Sequence, residues 1–137
     1  MVASDRMVVL GCDHSAGTAL DELAARGRAL PAGVEWVRLP CGGGLDELHI
    51  LRAFESGAGR VMVLACNDSA CRSVKGNRWA EKRVQAARRL LEETGIERWR
   101  LEFKAISPTM AADLLPWIEA FASFAPPLEE TSQEGTP

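Results

Sequence analysis

Residues 60–65, Arg-Val-Met-Val-Leu-Ala, carry an apolar run with no polar alternation. Such a run cannot leave one face in water, so it fits a strand covered on both faces, as in a parallel sheet. It is the most apolar of four strand-like segments and is expected at the sheet centre. The others are 7–11, 34–39 and the alternating stretch from Trp99 to Ile106, which has the pattern of a peripheral strand. Helix-period segments separate them. Residues 16–29 carry Ala, Leu and charge at helical spacing and end near Gly27. Leu45, Leu48, Leu51 and Phe54 are expected to share one helical face, stopped by Gly57-Ala58-Gly59. The longest helix is expected over 77–94, with Ala80, Val84, Ala87 and Leu91 buried and Gly95 past its end. Ser107-Pro108 reads as an N-cap and first helical position. Met110, Leu114, Trp117, Ile118 and Phe121 then stripe a last helix, in which Pro116 should introduce a kink. Alternating β and α units predict an α/β fold. The expected form is a single-domain open parallel sheet of about four strands flanked by helices, flavodoxin-like or Rossmann-like. The domain is expected over 1–125. The acidic, polar stretch 126–137 lacks an apolar stripe and is expected to be disordered.

A chain of 137 residues can bury one real core. Its net charge of -3 gives no basic footprint for nucleic acid. No apolar run approaches the roughly 20 residues that span a bilayer. The start, Met1 to Arg6, does not have the pattern of a signal peptide. The expected compartment is the cytoplasm, where thiols stay reduced, although the even cysteine count would allow two disulfides.

All four cysteines fall where a strand-like run ends in a loop. Cys12 follows 7–11, Cys41 follows 34–40, Cys66 follows 61–65, and Cys71 comes five residues later. In a parallel sheet the strand C-termini share one edge, where open α/β folds bind ligands. Cysteines distant in sequence can therefore converge there. Four convergent thiolates suit an iron–sulfur cluster or a zinc ion. Cys66-Asn-Asp-Ser-Ala-Cys71 is a C-x₄-C pair of the kind that opens one [2Fe–2S] arrangement. Structural zinc favours paired short knuckles, and here two of the cysteines stand alone. The plainer reading of a buried cysteine is a small hydrophobe.

The same loop supports a second chemistry. Cys66, followed by Arg72-Ser73 between a buried strand and a helix, resembles the low-molecular-weight tyrosine phosphatases and related arsenate reductases. Cys66 would be a thiolate nucleophile and Arg72 a bidentate phosphate clamp. The loop lacks that family's glycines, carries Asp68 in the anion site and follows the third strand rather than the first. The family's general-acid Asp-Pro is absent, and Cys12 and Cys41 would have no role. A third reading is a cluster-free adaptor.

The segment from about Met7 to Phe121 resembles the delta-subunit family of methyl-viologen-reducing hydrogenase. The matching stretches are Cys12 with Ala16-Gly17, Val37-Arg38-Leu39-Pro40-Cys41, Phe54-Glu55-Ser56-Gly57-Ala58, and Val61 to Cys66 with Cys71. Gly76-Asn77, Arg83, and Leu90 to Arg98 leading to Leu101-Glu102 complete them. The resemblance implies a [2Fe–2S] cluster held by Cys12, Cys41, Cys66 and Cys71, and an electron-conducting subunit without a substrate of its own. The partners it implies are two: a hydrogenase or formate dehydrogenase subunit, and a heterodisulfide-reductase-like flavin/iron–sulfur subunit. The chain departs from the family in three places. The family's Cys-x-x-Cys after the first strand is here Cys12-Asp13-His14-Ser15, without the family's nearby aromatic residues, so Ser15 or His14 would be the substitute ligand. Cys41 is followed by Gly42-Gly43-Gly44 rather than an arginine. The loop Asn67-Asp68-Ser69-Ala70 lacks the usual His-Pro.

Other residues read more plainly. His14 is near Cys12 and is expected to bond backbone or water, with ligation as the sharper alternative. His49 is expected to face solvent. Gly42-Gly43-Gly44 matches no phosphate-binding fingerprint and is expected to allow a tight turn or a close backbone approach. Arg72, Lys75, Arg78, Lys82 and Arg83 are either a solvated helix face or a patch that steers an acidic partner. Trp79 and Trp117 are expected to anchor the core or an interface.

Overall fold

The computed structural model describes residues 6–39, 45–66, 76–106 and 109–125, with the backbone alone for 66 and 76–78. Four strands, β1 (Met7–Cys12), β2 (Val34–Leu39), β3 (Arg60–Cys66) and β4 (Leu101–Ile106), form one sheet. Their order is β2-β1-β3-β4, and every neighbouring pair is parallel. The helices are α1 (Thr18–Ala25), α2 (Glu47–Glu55), α3 (Gly76–Glu93) and α4 (Ala111–Ser123). This is the expected α/β architecture.

Strand composition explains the layering. β1 and residues 61–65 of β3 are buried on both faces, as their unbroken apolar runs require. Val8, Leu10, Val61, Val63 and Ala65 face one way and pack with Ile50 and Ala53 of α2 and Ala80, Val84, Ala87 and Leu91 of α3. Met7, Val9, Met62 and Leu64 face the other way, toward Ala19 and Leu23 of α1 and Leu114, Ile118 and Phe121 of α4. The sheet is thus sandwiched between two helical layers.

The α3 stripe is the predicted one, and Gly95 adopts φ +92° just past its end, a conformation that favours glycine. Gly57, at φ +109°, likewise follows the end of α2. In α4, Leu114, Ile118 and Phe121 are buried, and Met110 and Trp117 pack against them. Pro116 lies inside α4, which runs from Ala111 to Ser123. Ser107 and Pro108 lie outside the described residues, and Met110 holds the N-cap position of α4. The tail 126–137 also lies outside them.

The predicted face of α2 needs correction. Leu45 is buried but precedes the helix, and Leu51 and Phe54 pack against the core, but Leu48 is 53% exposed, and the fully buried helical positions are Ile50 and Ala53. A strict three-residue spacing slips by about 60° per step on a helix of 3.6 residues per turn, so such a series winds around the axis. The buried arc is centred between Ile50, Ala53 and Phe54, with Leu48 on the far side.

Candidate metal centre at the C-terminal sheet edge

With the order β2-β1-β3-β4, the chain leaves β1 toward one side of the sheet and returns to its other side at β3. The ends of β1 and β3 therefore flank the topological switch point, where open parallel sheets form their ligand crevice. Cys12 is the last residue of β1 and Cys66 the last of β3. The ladder pairs Gly11 with Leu64, so Cys12 continues it level with Ala65, one residue short of Cys66. Neighbouring strands lie about 4.8 Å apart with a rise of about 3.3 Å per residue, which brings the two Cα atoms within roughly 6 Å. On the other side of β1, Cys12 pairs with Leu39, two residues before Cys41 in sequence. The sheet thus brings two of the four candidate residues to one point. Cys41 and Cys71 lie outside the described residues, as do glycines 42–44 and residues 67–75, Arg72 among them.

The side chain of Cys12 is buried, at 1% exposure. Directly after it, Asp13 to Gly17 form a π-helical turn that runs into α1. Single π turns of this kind are frequent at functional sites. This turn packs on β1, β2 and β3 and so covers the switch point. Two close approaches hold it. A Cβ on Gly11 would lie 2.7 Å from the indole of Trp36 and 3.2 Å from Ala16, so only glycine fits between them. A Cβ on Gly17 would lie 2.8 Å from Asp13 Oδ1. Arg38, level with Gly11 on β2, clamps the turn from outside. Its Nη2 donates to the Gly17 carbonyl at 3.0 Å and to Asp21 Oδ1 at 2.8 Å, and its Nη1 lies 3.3 Å from Asp13 Oδ1. These pairs are half-exposed, so they fix the position of the turn more than they add stability.

Ser15 sits inside this turn at 0% exposure, the one buried polar residue among the described residues. Its Oγ has no hydrogen-bond partner. Enclosing a hydroxyl unsatisfied costs about 1–3 kcal/mol, so a core position filled this way calls for an acceptor. The sequence marks Ser15 as a departure from a cysteine motif and as a candidate substitute ligand, not as a buried hydroxyl. No polar pattern marks a buried orphan hydroxyl in advance.

The other singled-out residues sort clearly. His14 is half-buried in the turn, and its carbonyl accepts from Thr18 Oγ1 at 2.7 Å. His49 is exposed, as expected, but has a structural task. Its Nδ1 accepts from the Asp46 backbone N–H at 2.9 Å, and Asp46 Oδ1 accepts from the Leu48 N–H at 2.9 Å. Together they close a capping box on α2. Arg83 stacks over Trp79 at 4.1 Å and bonds Glu47 at 3.2 Å, so it ties α3 to α2 and is no loose member of a steering patch. Lys82 is exposed, while Arg72 and Lys75 lie outside the described residues. Trp117 is half-buried beside Lys104 in an open groove with Trp99, Phe121 and Phe124. That groove lies between β4 and α4, away from the cysteine edge.

Among the described residues no three potential ligand side chains gather. The fit to a metal group rests instead on the donor chemistry: a buried thiol at one strand end, a second cysteine at the adjacent strand end, and an enclosed hydroxyl without an acceptor in the turn that follows Cys12.

Residues 7–125 match the family model for the methyl-viologen-reducing hydrogenase delta subunit. The chain belongs to this family. Its relatives include the iron-sulfur subunit of the vhu F420-non-reducing hydrogenase of Methanopyrus kandleri, 40% identical over 80% of this chain and 84% of that protein. The protein of the same name from Methanocaldococcus jannaschii is 38% identical over 78% of this chain and 81% of that protein. One polypeptide of the ferredoxin:CoB-CoM heterodisulfide reductase of Methanosarcina mazei is 27% identical over 77% of this chain, within 13% of its own length. A stretch similar to this chain thus lies within a much longer reductase polypeptide. The family assignment made from the cysteine-bearing stretches agrees with these matches. No helix among the described residues is long and apolar enough to cross a membrane.

Proposed function

We propose that this chain is an electron-transfer subunit whose C-terminal sheet edge holds a [2Fe–2S] cluster on Cys12, Cys41, Cys66 and Cys71. The observation that carries the reading is the position of Cys12 and Cys66 at adjacent strand ends on the switch point, in a chain whose relatives are named iron–sulfur subunits. Such a cluster, when bound, supplies one-electron chemistry at a potential set by burial and hydrogen bonding. The residues of this chain do the rest. Cys12 brings a thiol that the sheet and the π-helical turn shield from water. Cys66 ends the central strand and brings a second donor from a rigid element. Arg38 and the glycines Gly11 and Gly17 hold the covering turn against the strand ends.

Two partners are proposed after the names of the relatives, a hydrogenase-type subunit on one side and a heterodisulfide-reductase-type subunit on the other; a formate-dehydrogenase-type subunit in the first place and a flavin in the second rest on the family resemblance alone. The test is a reductive titration of anaerobically purified protein followed by visible absorption. The expected result is charge-transfer absorption that bleaches with about one electron per chain and returns on reoxidation. Colourless protein that takes up no electrons, even after anaerobic reconstitution, refutes the proposal.

A further inference from the structure

We infer that the Ser15 hydroxyl donates a hydrogen bond to sulfur of the group bound at the β1/β3 edge and thereby raises its reduction potential. This inference rests on the iron–sulfur reading above and goes beyond it by naming a residue that tunes the site. Ser15 is fully enclosed, and its Oγ has no partner in the chain. It lies three residues after Cys12, in the turn that covers the ends of β1, β2 and β3. A hydroxyl carries one proton to donate. Thiolate or sulfide sulfur is an anionic acceptor, and hydrogen bonds to charged groups are about twice as strong as neutral ones. No backbone carbonyl among the described residues accepts from the Ser15 hydroxyl, whose Oγ is without a partner in the turn. A bound anionic sulfur at this edge would complete the pairing. Donation to sulfur favours the more negative, reduced state, so the potential rises. The hydroxyl acts through sulfur and carries no electron, which makes Ser15 a positioning and tuning residue rather than a ligand.

Ser15→Ala tests this in the full-length chain, beside unaltered protein whose iron and sulfide content is measured first. The loaded variant should keep its iron, and its midpoint potential should fall. The oxidised-to-reduced ratio at a fixed potential should change about tenfold, equivalent to about 59 mV for one electron. Resonance Raman bands of the iron–sulfur modes should shift in D₂O for the unaltered protein and not for the variant. In the metal-free protein the same substitution removes an unsatisfied hydroxyl, so the urea midpoint should be equal to or higher than that of the unaltered chain. A loaded variant with unchanged potential and unchanged D₂O response overturns the inference and leaves the cluster reading intact. Loss of iron from the variant overturns it in favour of oxygen ligation. A lower urea midpoint of the metal-free variant overturns it in favour of a structural partner. An iron-free unaltered chain refutes the cluster reading itself.

Discussion

Cys66→Ala protein prepared without air is expected to lose most of its iron, and Cys12→Ala protein to do the same. Substitutions merely in the outer shell of a metal site cost about 10–100-fold in affinity, so removal of a ligand should cost at least that. Alanine is preferred to serine in this test because a hydroxyl at the same position could itself ligate. Iron per chain is the readout, with circular dichroism as the folding control. Cys12 is a small buried side chain in the described core, and its truncation to alanine should lower stability by only about 1 kcal/mol. Folded, iron-poor variants would identify both residues as ligands. Variants that keep full iron would remove the sheet edge from the account.

The second large effect concerns the core. Ile50→Ala should destabilise the protein by about 2–5 kcal/mol, the usual range for emptying a fully buried aliphatic site. Leu48→Ala, two residues earlier, should stay within about 0.5 kcal/mol because that side chain is largely in solvent. Urea denaturation of the two variants separates the buried face of α2 from the one its leucines suggest. Equal losses would show that the helix packs by its leucine series.

That contrast marks where the sequence was legible. β1 and β3 were readable because runs buried on both faces need no choice of face. α3 was readable because Ala80, Val84, Ala87 and Leu91 recur at mixed three- and four-residue spacing, which keeps to one side of the helix. α2 was not, because three-residue spacing alone winds around the axis. Residue type gave only part of the answer: His49 faces solvent as expected, and its imidazole also closes the α2 capping box. At the candidate site, the convergence of Cys12 and Cys66 follows from parallel topology alone and was foreseeable from the strand ends. The clamp by Arg38 and the burial of Ser15 were not. The first depends on a clamp across 21 positions from Gly17 to Arg38, and the second on complete enclosure of a residue type usually found at the surface.

The central claim is that this edge of the sheet holds an iron–sulfur cluster. The most direct measurement is iron and acid-labile sulfide per chain in anaerobically purified, unaltered protein. About two irons and two sulfides per chain are expected. Protein without either, which stays so after anaerobic reconstitution, would contradict it.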